Sequence, residues 1–308
     1  KVYFDRDLTL LERPPGRQPG DFPWLADHLY SLPFECPLPK GCPTSYEGPH
    51  AFIRYFARAT VEEGSKSKTA YFVKKPFTIV APVDAPANPE ALRPVAASEA
   101  TTFGGCCCRG RLTAEISLPK SLYYPGETVY GSLKIDNRHP RHVIEQIEVR
   151  LIDKVTRVQS GTVSASRTVL SRQLDKSDVK SRSQLRRDDI VFLQVPAVPP
   201  TTATPDQDMK VNGFDNTSSP GSATLKYRKQ PLIRIDYSIQ VLCGPRLLLE
   251  LPIIIGQLEP SNDTVYRQSV VGAKDVTETD DANKMPFAGP FTFAPVYPVG
   301  EKEQLNGK

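Results

Sequence analysis

A chain of 308 residues is long enough for two domains of ordinary size, each with a core of its own. Its 39 basic and 35 acidic residues are spread along the chain and leave a formal charge of +4, so composition makes no case for nucleic acid as a partner. The longest apolar run, Leu247 to Ile255, is cut by Glu250 and Pro252 and falls well short of the ~18 apolar residues that a membrane-spanning helix needs.

Thirty prolines and nineteen glycines predict many strands joined by sharp turns and little helix. The first residue is Lys1 rather than Met, and strand and turn patterns begin at once, so the expectation is a fragment whose start is missing. From there the strand pattern is period two. Tyr30, Leu32, Phe34, Cys36 and Leu38 share one parity, and so do Ile53, Tyr55, Ala57 and Ala59 after the turn at Glu47, Gly48 and Pro49. Pro33, Pro37 and Pro39 cannot donate to a ladder, which places Leu32 to Pro39 at an edge or a bulge.

Past Lys74 the composition turns to Ala, Pro and short polar residues, and 81–105 is expected to be an extended, stiff linker. A second block of strands follows, carried by Leu112 to Leu118, Val129 to Ile135 and Ile147 to Leu151, with turns at Tyr124-Pro125-Gly126 and Asn137 to Pro140. Ile190 to Val195, Ile233 to Val241 and Leu247 to Ile255 complete it. With no amphipathic helix to cross over, such strands build an all-β sandwich rather than a βαβ sheet. The polar stretch 201–229 and the tail 259–308, apart from the aromatics Phe287, Phe291, Phe293 and Tyr297, are expected to be disordered or flexible.

Three stretches together resemble the arrestin superfamily, and within it the α-arrestins, the arrestin-domain-containing proteins. They are LPFECPLPKGCPTSYEGPHAFIRY from Leu32 to Tyr55, LYYPGETVYGSLKIDN from Leu122 to Asn137, and VPAVPPT from Val195 to Thr201 taken with IRIDYSIQV and LPIIIG. The resemblance covers roughly residues 1–258 in order. It implies two immunoglobulin-like β-sandwiches in tandem: a partial N-domain at 1–80 lacking its first strands, the linker 81–105, a C-domain at 106–258 and the tail 259–308. It also implies that the N-domain is poorly stable unless the missing strands are supplied. In the Pro125-Gly126-Glu127 turn, Gly126 is expected to take positive φ and Glu127 to hydrogen-bond nearby backbone.

Such proteins typically carry PPxY motifs in the tail, whereas the nearest string here is Ala294-Pro295-Val296-Tyr297-Pro298. Pro295, Tyr297 and Pro298 therefore offer a shortened ligand for a WW domain; the alternative is that Phe291 to Val299 docks back on the folded body or is a random tail. Cys106, Cys107 and Cys108 are candidates for acylation or for ordinary thiols, and the six cysteines lack paired zinc-ligand spacing. A run of cysteines is a poor disulfide framework, which favours a reducing compartment. The basic segment Arg167 to Arg187 offers Arg182, Arg186 and Arg187 to phosphate or acidic lipid, the alternative being a solvated strand face. His139 and His142 flank a turn and read as surface imidazoles, and neither GxSxG nor GxxxxGK occurs. The sequons at Asn216 and Asn262 matter only in a secreted chain.

The reading is thus a non-enzymatic adaptor without catalytic residues, metal or cofactor. The resemblance implies cytoplasmic tails of membrane proteins as cargo, WW-domain HECT ubiquitin ligases as further partners, and a cytoplasmic location with recruitment to plasma membrane or endosomes. An endosomal coat or retrieval subunit of the same fold is the alternative, and an extracellular β-sandwich adhesion module a more distant one.

Overall fold

The computed structural model describes residues 4–11, 16, 27–39, 42–49, 51–62, 70–81, 89–105, 108–157, 164–174, 178–202, 226–227, 232–258, 264–270, 274–275 and 292–300. Its one helical element among these is a single 3-10 turn at Pro89–Leu92, and everything else regular is strand. Proline spacing and period-two patterning dictate this, because prolines break helical ladders while alternation buries one side of an extended chain.

The N-terminal part contributes β1 (Phe4–Asp5), β2 (Tyr46–Glu47), β3 (Phe52–Ile53), β4 (Tyr55–Glu62) and β5 (Ala70–Phe77). β2 and β3 form a short hairpin with Tyr46 opposite Ile53, and β4 and β5 form an antiparallel ribbon with Tyr55 opposite Phe77. Tyr46, Ile53 and Tyr55 are buried, whereas Ala57 and Ala59 are exposed, so only the start of β4 reaches the core. Residues 28–39 run without joining any sheet among the described residues, and Leu29, Phe34 and Leu38 are exposed. The expected strand there is therefore a correction: its prolines remove the donors a ladder requires.

The larger part contains β6 (Val95–Phe103), β7 (Gly110–Leu118), β8 (Leu122–Tyr123), β9 (Thr128–Asn137), β10 (Ile147–Arg157), β11 (Ser164–Gln173), β12 (Ser183–Gln194), β13 (Lys226–Tyr227), β14 (Ile233–Cys243) and β15 (Leu247–Ile255). They form a four-stranded sheet in the order β12-β9-β7-β6 and a five-stranded sheet in the order β11-β10-β14-β15-β8, while β13 pairs with β1. Pairing is antiparallel except for β15 with β8, which is parallel. Strict alternation in β7 and β9 turns Leu112, Ile116, Leu133 and Ile135 inward. They meet Val149, Leu151, Ile239 and Val241 of the facing sheet in one apolar cluster. Truncating any of these leucines or isoleucines to alanine costs about 2–5 kcal/mol.

Two boundaries differ from the expectation. The linker 81–105 contains β6, which pairs with β7 from Val95 opposite Leu118 to Phe103 opposite Gly110. Small residues (Ala96, Ala97, Ser98, Ala100) masked it, because an edge strand that packs on one side only needs few large apolar residues. In the tail, β16 (Thr264–Gln268), β17 (Lys274–Asp275), β18 (Thr292–Phe293) and β19 (Val296–Gly300) follow, with β16 paired to β19 and β17 to β18. The tail is therefore not flexible throughout. Most of the stretch 201–229, and both sequons, lie outside the described residues.

Candidate functional site

The N-terminal hairpin is fastened to the larger sandwich by a buried polar group. Asp153 on β10 lies opposite Arg167 on β11 and is almost fully buried. The Arg167 Nε donates to both carboxylate oxygens at 3.0 and 2.9 Å, and its Nη2 donates to Asp153 Oδ2 at 2.6 Å. Arg167 Nη2 also donates to the Tyr46 hydroxyl at 3.1 Å, and that hydroxyl donates to Asp153 Oδ2 at 3.3 Å. Burial, and then the Asp153 charge, push the Tyr46 phenol well above its ordinary pKa. The Tyr46 ring lies so close over Gly48 that a Cβ there would sit 2.4 Å from its oxygen. This is the physical content of the SYEG string. Beside it, buried Glu47 is held by Arg54, whose Nη2 donates at 3.0 Å and whose guanidinium lies 3.9 Å over the Phe52 ring.

The last strand closes over the same region. Tyr297 is 1 % exposed and donates its hydroxyl to the Ser45 carbonyl at 2.7 Å. The Val296 amide donates to Thr78 Oγ1 at 3.0 Å, and the Gly300 amide donates to the Pro125 carbonyl at 3.0 Å. β19 thus touches the N-terminal part on one side and the turn at Tyr124 to Glu127 on the other. In that turn Gly126 has φ +92°, and the Glu127 carboxylate accepts from the Tyr124 amide at 3.1 Å. The segment holding Pro295, Tyr297 and Pro298 is docked on the folded body. Tyr297 and Pro298 are buried, and Tyr297 spends its hydroxyl inside the fold.

At the opposite end of the large sandwich the loops between strands gather. His139 is fully buried, which corrects its reading as a surface imidazole. Its ring stacks on Phe103 at 4.6 Å, and its Nδ1 accepts the amides of Arg141 at 3.1 Å and His142 at 3.0 Å. Burial, followed by the neighbouring His142 and offset in part by the Cys108 carbonyl, holds its pKa below the usual histidine value. The Arg246 guanidinium covers Phe103 at 4.5 Å. A cleft of about 470 Å³ opens between the loop at 142–146, with the start of β10, and the turn at 244–246. Nothing in the sequence spacing of Phe103, His139 and Arg246 signals this assembly, since only the strand register brings them together.

The basic run is split by the fold. Arg167 is committed to Asp153, and Arg182 lies in the turn before β12 with φ +56°. Arg186 and Arg187 sit farther along β12, opposite Lys134 and Leu133, and Arg186 is ion-paired with Asp188. The three arginines proposed together for phosphate or lipid thus do not converge on one spot. Cys108 is half-buried near the His139 loop, while Cys106 and Cys107 lie outside the described residues. Cys42 and Cys243 are buried thiols, and burial pushes Cys243 up to about 12. No group of three or more His, Cys, Asp or Glu side chains gathers as a metal-binding set among the described residues.

Tandem β-structure locked through side-chain contacts defines a protein of the β-sandwich class. The model for the arrestin (or S-antigen) N-terminal domain matches residues 25–86, and that for the arrestin C-terminal domain matches 108–260. The chain belongs to the arrestin family, in its α-arrestin-like branch. Among curated proteins it is similar to arrestin domain-containing protein 17 of Caenorhabditis elegans, at 24% identity over 80% of this chain and 52% of that one. It is also similar to human arrestin domain-containing protein 1, at 24% identity over 88% of this chain and 54% of the relative. Arrestin domain-containing protein 15 of Caenorhabditis elegans is 22% identical over 83% of the chain and 66% of its own length. The chain spans about half the length of the first two relatives.

Proposed function

We propose that the chain is the arrestin-fold part of a non-enzymatic adaptor. It binds cytoplasmic tails of membrane proteins and brings them to ubiquitin-ligase or endocytic machinery, working in the cytoplasm with recruitment to plasma membrane or endosomes. The observation that carries this reading is the match of both arrestin halves in their proper order. A scaffold of this kind recognises partners through surface area, and its contacts are often transient. Co-precipitation from cells tests the reading: ligases and receptors in the captured set support it, and the absence of any partner protein counts against it.

One observation favours a second reading, a coat or retrieval subunit of the same fold. Tyr297 of the degenerate proline-tyrosine string is buried, so this part of the chain does not itself present a WW ligand. Captured coat proteins in place of ligases would select that reading.

A further inference from the structure

The adaptor reading leaves open where a partner's chain lies, and the loop-bearing end of the large sandwich carries the features of a docking site. Strand register sets this end: Phe103 lies opposite Gly110, Asn137 opposite both Leu112 and Ser183, and Cys243 opposite both Ile147 and Leu247. Residues 104–105, 108–109, 138–146, 178–182 and 244–246 therefore share one end of the molecule.

Charge is unbalanced there. Arg109, Arg111, Arg141, Lys180, Arg182 and Arg246 are exposed, and none has a carboxylate partner at ion-pair distance among the described residues. Of the four described acids near these residues, two are spent. Asp136 is paired with Arg138, and Glu148 is held by Arg150 through bonds of 2.9 and 2.7 Å. Glu145 and Asp178 remain among the described residues. Between the basic loops lies the cleft of about 470 Å³, with the buried side chains of Phe103 and Ile144 and the half-buried Leu242 at its floor. His142, Val143, Glu145 and Arg246 stand exposed around it.

We propose that this end binds a linear acidic peptide segment of a partner protein, with one apolar side chain seated on Ile144 and Leu242, beside the Arg246 guanidinium that covers Phe103. Flanking carboxylates lie against Arg246 and Arg141. The proposal rests on the adaptor reading and names the chemistry of the partner. A peptide is favoured over a membrane surface because the apolar groups are recessed in a cleft. A bilayer is engaged by apolar side chains that stand proud of a basic surface, and Val143 is the single large one exposed in the loop at 138–146. Opposite charge at the rim steers encounter and sets orientation, and the recessed apolar contact slows dissociation.

The test is a fluorescence anisotropy titration of the full chain with a labelled peptide carrying glutamates on both sides of a central leucine. Its counterparts carry lysine for glutamate or serine for leucine. The acidic leucine peptide saturates, the lysine peptide does not, and the serine peptide binds more weakly. Arg141→Glu alone, and Arg141→Glu with Arg246→Glu, weaken binding by about tenfold or more, while Arg186→Glu on the sheet face stays within about twofold. Among the described residues the Arg141 side chain has no hydrogen bond or ion pair that its replacement would break, so that variant keeps the test informative if Arg246→Glu unfolds. Equal binding of the lysine peptide, no saturation by the acidic one, or indifference to both tip variants overturns the proposal. So does tip-dependent binding to phosphatidylserine vesicles in the absence of peptide binding. If the peptide fails while partner proteins still co-precipitate with the tip variants, the adaptor reading stands and the site lies elsewhere.

Discussion

Tyr297 reaches across 252 positions of sequence to donate its hydroxyl to the backbone carbonyl of Ser45, at 2.7 Å. The same strand end takes a bond from Gly300 to Pro125, so β19 lies between the N-terminal part and the large sandwich and holds both. Burial, with the nearby Tyr46 next, pushes the Tyr297 phenol well above its ordinary range, which keeps its proton in place as a donor.

Tyr297→Phe keeps the ring and removes the bond, leaving the Ser45 carbonyl without this donor; the expected cost is about 1 kcal/mol. Tyr297→Ala removes the ring as well and costs about 3–5 kcal/mol, the range for large aromatic truncations. Urea unfolding of both variants gives the ranking, and limited proteolysis shows faster cleavage near 292–300 in the alanine variant.

Arg167→Ala leaves Asp153 buried with an uncompensated charge. Breaking one side of such a pair costs about 3–5 kcal/mol, well beyond an exposed ion pair. Tyr46→Phe alone costs about 1 kcal/mol, and a double-mutant cycle between the two shows coupling of about 0.5–3 kcal/mol because they share one hydrogen-bond group. Additive losses would mean that the three side chains do not act together.

Gly126→Ala and Gly105→Ala separate conformational need from composition. At Gly126, φ is +92° and a Cβ would lie 2.3 Å from the Gly300 carbonyl oxygen, whereas at Gly105 nothing lies within 4 Å. Gly126→Ala should destabilise by more than about 1 kcal/mol and loosen β19, and Gly105→Ala should be close to neutral. Thermal melts of the two variants decide it.

Much of the large sandwich was legible because both faces of the pattern are present in it. Leu112 to Leu118 and Ile233 to Val241 alternate strictly, so parity alone assigns their inner sides. Gly126 and Glu127 were legible too, since a turn dictates its chemistry locally. β6 was not, because an edge strand of alanine, serine and threonine carries little hydrophobic signal. The polar staple was also hidden: Tyr46, Asp153 and Arg167 lie far apart in sequence, and nothing local distinguishes Asp153 from a solvated strand aspartate. For Tyr297 the motif drew attention to the residue, but not to its anchoring contact with Ser45, which lies 252 positions away.

The depressed pKa of His139 fixes the sign of a pH effect. The unfolded imidazole, with a pKa of about 6.5, binds a proton that the folded one resists. The stability this group contributes is therefore fully present above that value and falls as pH drops through the unfolded and then the folded pKa. Protonation of Nδ1 also ends its acceptance of the Arg141 and His142 amides. Urea midpoints measured from about pH 7.5 down to about pH 5 should decline in the wild type. The decline should be shallower in His139→Gln, which does not titrate.

Hydrogen exchange read by mass spectrometry over β19 tests the clasp most directly. The Val296 and Gly300 amides are bonded to Thr78 and Pro125, so a peptide covering 296–300 should exchange slowly in the wild type and quickly in Tyr297→Ala. Exchange of that peptide at the unfolded-chain rate in the wild type would contradict a fold whose two parts are held together by its last strand.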